Sequence, residues 1–259
     1  MTTTATTTDD DLRAAVRRLG LYGLLANWEA VRHGDWLPRL LEYEQTERQR
    51  RSLERRLRFA CLGAFKPMAD FDWQWARKID RAAVEELCAL EFLTEIANVV
   101  LIGPNGTGKT MIAKNLAHLA LLRGHSARFT TASAMLNDLA AQDSASALHR
   151  RLRHYCRPSV LVVDELGYLS YNARSADLLF EVVSRRYHQR STIITTNKTF
   201  ADWKEVFPNA ASVVALIDRL VHRAEIITIE GERYRLKEAT ERAVHKAKAR
   251  KTRRSRDSQ

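Results

Sequence analysis

The segment Gly103-Pro104-Asn105-Gly106-Thr107-Gly108-Lys109-Thr110 constrains this chain more than any other. It matches GxxxxGK[ST], which fits one local architecture: a strand, a glycine-rich turn around phosphate oxygens, and a helix whose N-terminus points at them. The flanks supply both partners. Residues 98–102 form an apolar β-type run, and residues 110–122 carry Ile112, Leu116 and Leu119 on one helical side. At this Gly, Lys, Ser and Thr content the pattern arises by accident roughly 0.002 times per chain, so it is read as a phosphate site. Each residue type has a chemical reason. The glycines permit positive φ and let backbone N–H groups converge on phosphate oxygens. Lys109 is a point charge for the β and γ phosphates, and Thr110 offers a hydroxyl to Mg²⁺. Gly103, Pro104, Asn105, Gly106, Thr107, Gly108, Lys109, Thr110 and Met111 are therefore the candidate nucleotide-binding residues.

Three further motifs stand at strand and helix ends. Val160 to Val163 is an all-apolar strand that runs into Asp164 and Glu165. Carboxylates at such an end face the crevice of an open α/β sheet. Asp164 is expected in the shell of a Mg²⁺ ion, and Glu165 as the general base that polarises the attacking water. Residues 192–196 form a β-run that ends in Asn197, a polar amide expected beside that water and between the first two motifs. Residues 210–222 read as a helix with Val213, Ile217, Leu220 and Val221 on its apolar face, and Arg219 and Arg223 on another. Arginine suits the charge that develops in phosphoryl transfer and can come from a neighbouring subunit. Arg219 is the leading candidate, with Arg223 as the alternative and Arg235 as a weaker candidate acting in cis.

Between these motifs the period switches repeatedly from 2 to 3.6. Strands at 127–130, 160–163, 192–196 and 226–229 alternate with helices at 110–122, 133–155, 173–188 and 210–222. That alternation predicts a parallel sheet flanked by helices, with Gly231 and residues 234–236 as a closing hairpin. Residues 11–60 read as helical throughout, with Leu12, Val16 and Leu19 on one face. Residues 61–75, with Gly63, Pro67, Phe71, Trp73 and Trp75, read as a connector packed onto the segment C-terminal to it, with a boundary near residue 68.

Charge narrows the class of partner. The chain has 259 residues, 42 basic against 31 acidic, for a net charge of +11. Residues 242–259 hold eight Lys/Arg and one Asp, giving 8 − 1 = +7. A polyanion, most simply nucleic acid, is the implied partner. The tail and the arginines of residues 48–58 are the candidate contacts. That second set has an equally good reading as a salt-bridged face, because Glu44–Arg48, Glu47–Arg51 and Glu54–Arg58 stand four apart. No apolar run is long enough for a membrane span, and residues 1–10 read as a disordered leader. Cys61, Cys88 and Cys156 are scattered and odd in number, which argues against a disulfide framework or a zinc site and for a reducing, cytoplasmic setting.

Taken together, GPNGTGKT at 103–110, VDELGY at 163–168, Arg186-Tyr187 before Thr195-Thr196-Asn197, Phe200 to Trp203, Phe207, Asp218-Arg219-Leu220 and Tyr234-Arg235-Leu236 resemble the IstB-type ATP-binding proteins of insertion sequences. The helical leader with Phe71-Asp72 is similar too. One departure stands after Phe207, where Pro208-Asn209 replaces the family's usual acidic residue. The resemblance implies a P-loop NTPase fold of the AAA+ type with a small N-terminal all-helical domain. The resemblance covers roughly residues 11–238, within a chain that divides by its own composition into a leader at 1–10, the helical domain at 11–67, the ATPase domain at 68–238 and a basic tail at 239–259 that is not a reliable family feature. It also implies ATP and Mg²⁺ as cofactors, with Thr110 and Asp164 at the metal. Glu165, Lys109, Asn197 and a trans-acting Arg219 would serve hydrolysis in a homo-oligomer. The implied role is a helper ATPase that assembles on duplex DNA and recruits or activates the element's transposase. The alternative is a replicative helicase loader.

Overall fold

The computed structural model describes residues 8–168, 171–207 and 211–231. The chain forms two compact units, Met1–Arg56 and Leu57–Gln259. In the first, helix α1 (Asp9–Arg18) starts from a reciprocal cap. The Thr8 hydroxyl accepts from the Asp11 amide at 3.3 Å, and the Asp11 carboxylate accepts from the Thr8 amide at 3.1 Å. Asp9, Asp10 and Asp11 fill its first turn, where the helix dipole favours negative charge. Helices α2 (Tyr22–Ala26), α3 (Trp28–Val31) and α4 (Leu37–Ala60) come next. Val16, Leu19, Trp28, Leu37 and Leu41 form this unit's small core, which agrees with the helical reading of residues 11–60.

On α4 the arginines are paired along the helix. Arg48 meets Glu44 at 3.1 Å, Arg51 meets Glu47 at 2.7 Å, and Arg50 bridges Glu47 at 2.8 Å and also Glu54. Of the two readings of these three arginines, the structure displays the salt-bridged face.

The second unit contains β1 (Ala76–Lys78), α5 (Arg81–Ala89), α6 (Glu91–Thr94), β2 (Asn98–Ile102), α7 (Lys109–Leu122), β3 (Ala127–Thr131), α8 (Ala132–Ala140) and α9 (Ala145–Cys156). It continues with β4 (Val160–Leu166), α10 (Ala173–Arg186), β5 (Ser191–Thr196), α11 (Trp203–Val206), α12 (Ser212–Val221), β6 (Ala224–Thr228) and β7 (Glu230–Gly231). Five strands make one parallel sheet in the order β3-β4-β5-β2-β6. Its residues alternate between two cores. Val160, Val162 and Ile193 join the cluster around α7, whereas Leu161, Val163 and Ile194 join the one around α8, α10 and α12. Burial on both faces is why residues 99–101, 160–163 and 193–194 are unbroken apolar runs.

Sequence pattern assigns no element to residues 76–97, where β1, α5 and α6 lie. Helix α5 is only nine residues long, and it ends at Leu90 in a left-handed conformation (φ 66°) without the glycine that usually announces such an end. Gly231 pairs with Ala76 across the two-stranded β1–β7 ribbon. Residues 234–236, expected to complete a hairpin there, lie outside the described residues. So do Arg235, Pro208-Asn209, residues 1–7 and the basic tail. The connector around residue 68 packs into the second unit. Leu62 and Phe71 are buried in its α7-side core, with Phe65, Met68 and Trp73 against them.

Candidate nucleotide site

The glycine-rich loop joins β2 to α7 and lies at the carboxyl end of the sheet. Backbone crowding explains its residue types. A Cβ on Gly103 would sit 2.2 Å from the Ile229 carbonyl oxygen, and one on Gly108 would sit 2.5 Å from the Phe71 ring. Gly108 also has φ 94°, and Gly106 has φ 82°. Thr107 braces the turn by donating to the Pro104 carbonyl at 2.9 Å. Lys109 is buried, and its Nζ donates to the Gly103 and Pro104 carbonyls at 2.6 and 2.7 Å. The loop thus holds its own cation in the curve where phosphate oxygens are expected.

The carboxylates are linked to this loop by hydroxyl groups. The Thr110 Oγ1 donates to the two Asp164 oxygens at 3.0 and 3.1 Å. The Thr195 hydroxyl, on β5, donates to Asp164 Oδ1 at 2.5 Å and accepts from the Glu165 amide at 3.0 Å. Glu165 is in the left-handed region at φ 61°, where the β4–β5 register slips between Val163 and Leu166. Such a conformation costs a non-glycine residue about 1–3 kcal/mol. It turns Glu165 out of the strand's alternation, and this residue lines the cavity over the loop. Sequence reading misses Thr195. Its signal is a hydroxyl within a strand that is otherwise buried beside Asp164, and only the strand register reveals it.

That cavity measures about 350 Å³, within the usual range for a small-molecule site. Asn105 to Met111 form its floor, with Glu165 and Tyr168 to one side. Phe65, Lys66, Phe71 and Trp75 of the connector also line it. The connector is tied to α7 by Asn115, whose amide donates to the Lys66 carbonyl at 2.9 Å. Sequence pattern reads this wall as packing alone, and Phe71 does both, being buried against Gly108 while facing the cavity.

Asn197 lies at the end of β5, which stands between β2 and β4 in the sheet. Its Oδ1 is buried without a hydrogen-bond partner, a polar group in need of a donor. Arg219 is elsewhere in this chain's fold. On α12 it donates to the Ser184 hydroxyl of α10, and its guanidinium lies 4.5 Å from the Phe180 ring centre and 6.0 Å from that of Tyr187. Arg219 is not among the cavity's lining residues. Arg223 is exposed, with φ 64°.

These residues fit a nucleotide with a hard divalent cation. Thr110 and Asp164 offer adjacent oxygen donors, the sparse protein set that Mg²⁺ takes when phosphates and water complete its shell. Among the described residues no cluster of three or more His, Cys, Asp or Glu is placed to hold a metal by itself, so substrate phosphates would be needed. The cysteines are free, and burial pushes the thiols of Cys88 and Cys156 up, away from reactive thiolate. No helix among the described residues is long and apolar enough to cross a membrane.

Phosphate loop, acidic strand end and parallel sheet define a P-loop NTPase fold of the AAA+ type. Solved structures share it. The crystal structure of DnaI superposes with a TM-score of 0.53 at 19% identity, covering 66% of this chain and 90% of that one. The replication initiator DnaA, bound to AMPPCP and single-stranded DNA, gives a TM-score of 0.50 at 18% identity, covering 63% and 52%. A family model described as IstB-like ATP binding protein matches residues 12–242, and the chain belongs to that family. Its relatives include proteins named for ATP binding in insertion sequences IS21 of Pseudomonas aeruginosa and IS5376 of Geobacillus stearothermophilus. The first is 37% identical over 83% of this chain and 81% of the relative, and the second is 35% identical over 82% and 85%. An insertion-sequence ATP-binding protein of Mycobacterium tuberculosis is 35% identical over 88% of this chain and 94% of its own length.

Proposed function

We propose that this protein is an ATP-hydrolysing switch that assembles on duplex DNA and recruits or activates the transposase of its insertion sequence. The observation that carries the reading is the run of hydrogen bonds from Thr110 through Asp164 and Thr195 to the Glu165 amide, at the rim of the phosphate loop's cavity. In this reading the loop amides and Lys109 bind the β and γ phosphates, exchanging the Lys109–carbonyl bonds for phosphate oxygens. Thr110 and Asp164 would hold Mg²⁺, which would supply positive charge against the transferred phosphoryl group. Glu165 accepts the proton of the attacking water, and the unpartnered Oδ1 of Asn197 orients that water. Arg219 completes the site of an adjacent subunit, consistent with its place away from the cavity of its own chain. The connector aromatics Phe65, Phe71 and Trp75 offer apolar and stacking surface for the base. Hydrolysis then dissolves the assembly, because contacts made through the γ phosphate are lost.

Steady-state ATP hydrolysis with and without mixed-sequence duplex DNA, at about 0.15 M salt, tests this reading. Stimulation by DNA that Lys109→Ala abolishes is the expected result. Glu165→Gln should bind ATP, fail to hydrolyse it, and remain on DNA far longer than the wild type. An unchanged DNA lifetime for Glu165→Gln with ATP would sink the switch.

A further inference from the structure

Helix α9 exposes arginines that no acidic side chain among the described residues answers. With 3.6 residues per turn, Ser146, His149, Arg150, Arg153 and Arg157 lie on one stripe along the helix and past its end, and all five are exposed. Leu152 and Tyr155 are buried on the opposite side. Residues 144–163 contain no carboxylate. Arg153 has Arg157 four positions away and Arg150 three away, so these helical neighbours are like-charged, an arrangement that destabilises the free helix. The side chains of Arg150, Arg153 and Arg157 make no hydrogen bond or ion pair among the described residues.

The ordinary uses of these side chains are already taken. Asp138 is occupied by Arg151 and by the Tyr155 hydroxyl. Glu181 on α10 pairs with Arg185 at 2.6 Å. Capping of the α9 C-terminus is done from beneath by Arg186, which is 1% exposed. It donates to the carbonyls of Tyr155 and Cys156 at 3.1 Å and of Pro158 at 2.9 Å. The exposed arginines are therefore not needed as caps, and Arg186 adds a buried positive charge under the same end of the helix.

We infer that the exposed face of α9 docks on the phosphate backbone of duplex DNA. This assignment rests on the DNA reading above and gives it a location. From Arg150 to Arg157 the row spans about 10 Å of helix axis at 1.5 Å per residue, the rise of about three phosphates in one strand. Guanidinium groups grip phosphate in a bidentate fork. Contacts of this kind, made to phosphate, position the duplex without reading its sequence. Repulsion along the row is relieved when phosphates come between the charges.

The test is anisotropy of a labelled mixed-sequence duplex against the full-length protein, titrated across salt with ATP present. The combined R150A, R153A and R157A protein should bind roughly a hundredfold more weakly at 0.15 M salt and lose about 3 from the slope of log affinity against log salt. The corresponding Arg→Lys protein should keep most of the slope, and R50A/R51A on α4 should match the wild type. Binding of a fluorescent ATP analogue and the helical circular dichroism signal should be equal in all of them, so that lost DNA affinity is not lost folding. If the wild type binds duplex and the triple-alanine protein binds with the same affinity and slope, α9 is not the docking face and the DNA reading survives. If the wild type does not bind duplex at all, the functional reading falls, and this inference with it. Loss of binding to phosphatidylserine vesicles with duplex binding intact would also overturn the assignment.

Discussion

Helices α4 and α9 are both dense in arginine, and their neighbours differ. On α4 each of Arg48, Arg50 and Arg51 finds a glutamate three or four residues away. On α9 the exposed arginines have only one another and histidine three or four residues away among the charged side chains of the helix. Counting arginines favours α4 as a polyanion site. Asking what each arginine faces favours α9, because a charge already answered gains little by exchanging one carboxylate for a phosphate. The same question sorts the protein's other cations. Lys109 is held by the loop it serves, Arg186 by backbone carbonyls in the interior, and Arg219 by a serine and two aromatic rings. The setting of each cation sets the size of the effect when it is removed.

The largest effect is expected at Arg219, if it acts in trans. Arg219→Ala should slow hydrolysis by about 10³-fold or more, the range of a supplied arginine finger, while leaving nucleotide binding to the isolated subunit intact. Mixing decides the geometry. Arg219→Ala subunits keep a sound loop and Lys109→Ala subunits keep a sound arginine, so the two inactive proteins should restore part of the activity together. No recovery in any mixing ratio would return Arg219 to its cis role, holding α12 to α10 through Ser184 and Phe180.

Arg186 comes next, and its effect is on folding. Its guanidinium answers six acceptors: the carbonyls of Tyr155, Cys156, Pro158, Ser159 and Ser191, and the Thr192 hydroxyl. Burial pulls its pKa down to about 9, yet the group is retained, since carbonyls stripped of water need donors. Arg186→Met fills similar space and donates nothing. Several orphaned carbonyls at roughly 1–3 kcal/mol each, partly relieved by water, predict a loss of at least about 3 kcal/mol in urea unfolding. A loss below about 1 kcal/mol would mean that water replaces the guanidinium freely.

Thr195 sharpens the contrast at the nucleotide site, where a neutral hydroxyl links two anionic residues. Thr195→Val keeps the shape, leaves the Glu165 amide without an acceptor and removes a donor from Asp164. The expected result is about a tenfold fall in kcat, or about 1.4 kcal/mol, with KM nearly unchanged and Thr195→Ser restoring most of the rate. A fall in thermal stability without a change in kcat would make Thr195 a packing residue only.

The contrast between local and distant information also explains what sequence can reveal. The loop at 103–110 and the pair Asp164-Glu165 are contiguous patterns on ends of apolar strands, so spacing alone places them on the sheet's carboxyl edge. Thr195 is not legible in that way. Its role depends on β4 and β5 lying parallel with a slipped register, a property of two segments thirty positions apart. The connector wall is similar, since Phe71 reads as core until Gly108 is seen beneath it. Helix α9 is legible as a helix, but its function is hidden by a count. The six arginines at 48–58 outweigh the four at 150–157 unless the acids interleaved with the former are set against the lack of any beside the latter.

The smallest expected effect belongs to α4, and it is the one that can break the comparison. Arg50 and Arg51 hold the Glu47 carboxyl at about 2, so these pairs persist until strongly acid pH. A lowered carboxylate adds stability above its ordinary titration range and loses it as pH falls, toward 2 in this case. All three side chains are exposed, where solvent and salt screen the attraction. Arg51→Ala should therefore leave the urea midpoint at neutral pH and the duplex affinity within experimental error, and it should leave the salt slope unchanged. A slope reduced by about 1 would assign Arg51 a phosphate of its own. That outcome would show that paired arginines exchange carboxylate for phosphate readily, and that unanswered charge is not what marks the DNA-binding face.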